Sequence, residues 1–150
     1  MFETTQNEGK FHLRMSATLE NIDRADEALV EFLKSRDAPV DLFAVRILLR
    51  EGMLNAVVHG SGQDPDLPVT MDVELDAEGV GLTIEDTGPG FIWQNRSASF
   101  DLMGDGGRGI PLMQMYASRM AFNDSGNKVS FWRKYREAEV CQGATHGECQ

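Results

Sequence analysis

Glu51 and Asn55 stand four residues apart in Glu51-Gly52-Met53-Leu54-Asn55-Ala56-Val57-Val58-His59-Gly60, a run that is otherwise almost wholly apolar. On a helix that spacing sets a carboxylate and an amide on one face, one above the other. An unpaired buried amide costs about 1–3 kcal/mol, and an unpaired charge costs more, so something has to compensate. A hard divalent cation with phosphate oxygens would do so. Mg2+ takes oxygen ligands while keeping several waters, and the Asn55 side chain offers an oxygen. Glu51 beside it is suited to orient or deprotonate an attacking hydroxyl. The alternative is internal pairing, with Glu51 held by a basic side chain from a neighbouring element.

Asp86 ends an alternating stretch and is followed by Thr87-Gly88-Pro89-Gly90-Phe91. Val80, Leu82, Ile84 and Asp86 share one phase, so the carboxylate points the same way as the apolar side chains. An inward, acceptor-only group suits the exocyclic amine of adenine, where guanine would present an oxygen. Gly88 and Gly90 let the backbone turn sharply and approach a flat ligand. The same residues also make an ordinary turn at a strand end.

Gly104-Asp105-Gly106-Gly107-Arg108-Gly109 matches the pattern of a dinucleotide loop. That motif needs a strand before it and a crossover to a parallel strand after it. Here the period-two strands form a hairpin, so the dinucleotide reading is rejected. A Walker-type loop is excluded as well, because no Gly-Lys-Ser/Thr is present. What remains is a glycine-rich loop opening a helix, whose free N–H groups and dipole suit a phosphate chain.

The elements that must position these groups follow from periodicity. Phe11 to Ala17 alternates and predicts a strand at a sheet edge; Thr18 to Arg36 has helical spacing and is stopped by Asp37-Ala38-Pro39. Val40 to His59 reads as a second helix, apolar nearly all round and therefore buried. Val69–Leu75 and Val80–Asp86 alternate around the turn Asp76–Gly79 and form a hairpin. Phe91–Met103, of mixed polarity, is expected to be a lid. A third helix runs from Gly106 to Met120 with Pro111 in its first turn, and Ala121–Phe122 and Lys128–Arg133 close the sheet.

Whole-chain properties narrow the classes. The 150 residues are enough for one domain with a real core. A net charge of −10 argues against a nucleic-acid surface, which needs clustered Lys and Arg. No apolar run approaches the roughly 20 residues that span a bilayer, and Met1–Lys10 lacks a secretory signal's apolar centre. A cytoplasmic location is expected, with no membrane or direct nucleic-acid partner. Cys141, His146 and Cys149 supply three potential ligands, short of a closed zinc site, in a tail expected to be solvated.

Taken together, the buried Glu/Asn helix, the inward Asp before a glycine turn and the glycine loop opening a helix resemble the ATP-binding domain of the GHKL superfamily, which includes gyrase, sensor histidine kinases and MutL. The resemblance spans about Phe11 to Lys134 and is strongest to the stand-alone anti-sigma-factor serine kinases. It implies an α+β fold, a two-layer α/β sandwich of the Bergerat type. Its mixed, mostly antiparallel sheet would be covered on one face by helices, with a histidine-kinase-like ATP-binding domain over 1–136 and a polar tail over 137–150. It further implies ATP and Mg2+ as cofactors, Asn55 holding the metal, Asp86 bonding adenine, and Glu51 as catalytic base. Gly88, Gly90, Gly106, Gly107, Arg108 and Gly109 would surround the nucleotide. The implied activity is phosphorylation of a serine on an antagonist protein together with sequestration of a sigma factor, with the first strand and helix contributing to a homodimer or sigma-binding face. The alternative is a nucleotide-gated regulator with the same pocket and little transfer. A kinase fragment that needs another domain in trans comes third. Two positions depart from the family pattern. Gly126-Asn127-Lys128 stands where Gly-Thr often begins the closing strand, and Asp105 stands where a basic residue is frequent, leaving Arg108 or Arg96 to substitute.

Overall fold

The computed structural model describes residues 1–88 and 109–135. The expected lid, the second glycine loop through Arg108 and the tail over 137–150 lie outside the described residues, as do Gly90, Arg96 and Asp105. The strands are β1 (Phe2–Gln6), β2 (Lys10–Met15), β3 (Val69–Leu75), β4 (Gly79–Asp86), β5 (Arg119–Phe122) and β6 (Lys128–Lys134). They form one sheet in the order β1-β2-β3-β4-β6-β5, every pairing antiparallel. Helices α1 (Leu19–Ser35), α2 (Leu42–Leu54) and α3 (Gly109–Tyr116) accompany it. This is the α+β sandwich expected from the sequence.

Register explains the single covered face. Phe11, Val73, Leu82 and Phe131 stand across from one another on neighbouring strands and are all buried. Their sequence neighbours His12, Asp72, Thr83 and Ser130 form the next row, on the opposite face. Leu29, Phe32 and Leu33 from α1 and Leu48, Leu49 and Met53 from α2 complete the core. Thr18 caps α1 by accepting from Asn21 N–H at 3.2 Å, and Asp41 caps α2 by accepting from Ala44 N–H at 3.3 Å. Arg46 ties the two helices with a bidentate grip on the buried Asp26 at 3.0 and 2.9 Å.

Several expectations need correction. The sheet edge is β1, not the strand beginning near Phe11, which lies inside the sheet as β2. Phe2–Gln6 has one apolar residue and a nearly exposed pattern, so it gives no period-two signal. The second helix does not run unbroken to His59. It leaves α-helical bonding after Leu54 and continues as a π-helical turn over Asn55–Gly60. It is also not buried all round, since Phe43 is 64% exposed and Leu54 38% exposed. The third helix ends at Tyr116 rather than Met120, which frees Arg119 and Met120 to pair with Trp132 and Phe131.

The approach of α2 to the sheet is close at Gly52. A Cβ there would stand 2.7 Å from Ile84 Cδ1 and 3.1 Å from Phe131 Cε2. Gly52→Leu is therefore expected to destabilise the domain by about 1–3 kcal/mol through overpacking, measured by denaturant unfolding. An unchanged midpoint would show that α2 can lift from the sheet freely.

Candidate nucleotide site

The site lies where the C-terminal end of α2, the end of β4 and the start of α3 converge. Asn55 is 8% exposed, and its Nδ2 has no hydrogen-bond partner among the described residues. Glu51 is half-buried one helical turn earlier, and burial raises its pKa while the neighbouring Arg50 charge opposes the shift. A Cβ on Gly109 would stand 3.4 Å from Glu51 Oε1 and 3.9 Å from Asn55 Oδ1, so both side-chain oxygens face the start of α3. That arrangement sets a carboxylate and an amide against a helix N-terminus, where unbonded N–H groups favour anions.

Internal pairing of Glu51 is not what the described residues provide. Arg50, its nearest cation in sequence, turns to Asp23 at 3.2 Å and Asp26 at 3.8 Å. No ion pair to Glu51 occurs among the described residues.

Asp86 occupies the inner end of β4 at 3% exposure, on the face its phase predicted. Its Oδ1 accepts from Gly88 N–H at 2.8 Å. Burial raises its pKa from the ordinary 3.8 to about 6; the Gly88 bond opposes the shift and the Glu85 charge adds to it. The π-helical turn brings Gly60 against this carboxylate. A Cβ on Gly60 would stand 2.1 Å from Asp86 Oδ2, and one on Gly88 would stand 1.8 Å from the Gly60 carbonyl oxygen. Neither position can carry a side chain without displacing Asp86 or the backbone. The wide turn is closed by Ser61 N–H donating to Ala56 C=O at 2.8 Å, one residue further back than α-helical bonding reaches.

Asn55, Asp86 and Asn127, with Ala56, Ile84 and Val129, line a cavity of about 10 Å³, room for about one water molecule. The structure thus brings together Glu51, Asn55, Asp86, Gly88 and Gly109. Gly90, Gly106, Gly107 and Arg108 lie outside the described residues. Sequence reasoning missed the packing role of Gly60, although a glycine closing an apolar helix was a usable signal. It also missed the buried Ser61 Oγ, which has no partner among the described residues, and the contacts of Asn127.

The chemistry of the donor set fits Mg2+. No group of three or more His, Cys, Asp or Glu able to hold a metal occurs among the described residues. The side-chain oxygen of Asn55 is a hard donor of the kind that Mg2+ accepts beside waters and phosphate oxygens. The unpartnered Asn55 Nδ2 is a donor, which an acceptor oxygen of a ligand, and not a cation, would complete. No helix among the described residues is long and apolar enough to cross a membrane.

The family model for the histidine kinase-like ATPase domain matches residues 15–132. The chain is 27% identical over 125 residues to the anti-sigma F factor of Geobacillus kaustophilus (strain HTA426), covering 79% of this chain and 86% of that protein. The anti-sigma F factor of Geobacillus sp. (strain WCH70) is 27% identical over 134 residues, covering 84% and 92%. That of Anoxybacillus flavithermus (strain DSM 21510 / WK1) is 32% identical over 82 residues, covering 54% and 56%.

The Asp86 geometry sets a stability trade. The folded state holds the Asp86 proton more tightly than the unfolded chain, so its contribution falls as pH rises from about 4 to about 6 and stays lost above that. Asp86→Asn is expected to raise the melting temperature near neutral pH and to have little effect below about pH 4, read by thermal unfolding across pH. A variant less stable than the parent at neutral pH would contradict this.

Proposed function

From the premise that the chain belongs to the histidine kinase-like ATPase domain family, we propose that it is an ATP-dependent protein-serine kinase acting as an anti-sigma factor. It would phosphorylate an antagonist protein and sequester a sigma factor. The observation that carries this reading is the juxtaposition of Glu51 Oε1 and Asn55 Oδ1 at the first residue of α3. The name anti-sigma F factor, carried by the relatives at 27% identity, supports the sigma-factor part of this reading.

In this reading Asp86 accepts from the adenine amine, with the base at the mouth of the small cavity. Asn55 would hold Mg2+, and when bound the ion would supply neutralisation of the phosphate charge. The N–H groups at the start of α3 would receive phosphate oxygens, and Gly106, Gly107 and Arg108 are assigned to the nucleotide by the family resemblance alone. Glu51, its pKa raised by burial, takes the proton of the substrate serine. The serine oxygen forms its bond to the γ-phosphorus, and the bond to the bridging oxygen breaks, with ADP leaving. A homodimer assembled through the first strand and helix would present two such sites.

The nucleotide-gated regulator keeps the same pocket without transfer, and Glu51→Ala separates the two readings. Under the kinase reading the variant loses at least about a hundredfold in phosphotransfer, the usual range for general-base removal. It retains MgADP binding and partner capture. The measurement is incorporation of labelled phosphate from ATP into the antagonist, beside calorimetric titration with MgADP. Phosphotransfer unchanged in the variant would remove the base role from Glu51, and none in the parent would favour the regulator.

A further inference from the structure

One residue grips both peptide groups of Asp86. The Asp86 N–H donates to the Asn127 main-chain carbonyl at 2.9 Å, and the Asp86 carbonyl accepts from Asn127 Nδ2 at 3.1 Å. The first bond extends the ladder between β4 and β6, and any residue could supply it. The second needs a side-chain donor with the reach and planarity of an amide.

That amide is itself locked. Its Oδ1 accepts from Asn123 Nδ2 and from Ser125 Oγ, each at 2.7 Å. Asn123 is in turn fixed, with its Oδ1 accepting from Lys128 N–H at 3.2 Å and its N–H donating to Lys128 C=O at 3.0 Å. With one acceptor atom satisfied twice and the donor committed to Asp86, only one orientation of the Asn127 amide keeps every bond. The β5–β6 turn is therefore a single polar network that ends on the residue whose carboxylate enters the cleft. Asn127 also lines the small cavity beside Asp86 and Asn55.

We propose that Asn127 is a positioning residue for base recognition, fixing both peptide groups of Asp86 so that its carboxylate meets an exocyclic amine and rejects an oxygen at the same place. This rests on the reading of the cleft as an adenine site. Hydrogen bonds weaken steeply with misalignment, so a carboxylate set off its line loses the bond to the amine. Displacement also weakens the repulsion of an oxygen, because the two acceptors no longer face each other. Discrimination therefore falls further than affinity.

The test compares MgADP with MgIDP, whose bases differ in an amine against an oxygen at the recognised position, by calorimetric titration of the full chain. Asn127→Asp keeps an acceptor for Asn123 and Ser125 but removes the donor to the Asp86 carbonyl. Asn123→Ala leaves Asn127 in place and frees its amide to rotate. The parent is expected to prefer MgADP. The ratio of the two dissociation constants should fall by about tenfold in Asn127→Asp, the value of one well-formed hydrogen bond, and by less in Asn123→Ala. If Asn127→Asp does not fold, the ratio in Asn123→Ala decides alone. Equal weakening of both nucleotides, or a ratio that survives substitution, overturns the role of Asn127. A parent that binds both nucleotides equally overturns the adenine reading and this inference with it.

Discussion

The burial of the Asp86 carboxylate against a bare backbone is the constraint from which the rest of the site follows. A charged group at 3% exposure is costly, and here burial lifts its pKa to about 6. The surroundings answer that cost in part, through the Gly88 N–H and through Asn127 holding the peptide on either side. They cannot answer it with bulk, because Gly60 and Gly88 stand too close for any side chain. An apolar residue in place of Asp86 would fold at less cost. A destabilising carboxylate held in this detail is the kind of compromise found where a ligand must be read.

The π-helical turn is the second consequence. An α-helix continued through Asn55 to Gly60 would end tighter, with each bond reaching one residue less far back. The wider turn instead leaves Asn55 buried at the junction, with its amide unpartnered, and brings the Gly60 backbone against Asp86. Extra residues in a helical turn recur at functional sites for this reason: they re-aim side chains without ending the helix. Glu51 lies one turn earlier on the regular helix, so carboxylate and amide sit on two kinds of backbone.

Much of this was legible in the residues. Period two gave β3 and β4 almost to their ends, and the phase of Val80, Leu82 and Ile84 placed Asp86 inward. The four-residue spacing put Glu51 and Asn55 on one face, and both turn to the start of α3. Other features left no periodic trace. Strand β1 is an exposed edge, held by pairing with β2 rather than by an apolar face. A π turn differs from an α turn in bonding, not in which residues are apolar, so the run Val57-Val58 looked like unbroken helix. Asn127 read as a departure from the family pattern because Gly-Thr often stands there, and its contact with a residue 41 positions away is not encoded in local sequence. Phe43 and Leu54 are apolar yet exposed, so composition alone overstated the burial of α2.

The most direct measurement of the central claim, that Asp86 reads an adenine nucleotide, is calorimetric titration of the unmodified protein with MgADP and MgGDP across the pH range around 6. The account predicts binding of MgADP and not of MgGDP. It also predicts that MgADP affinity falls as pH drops through about 6, where the carboxylate takes up its proton. Equal binding of the two nucleotides, or an MgADP affinity indifferent to pH across that range, would contradict it.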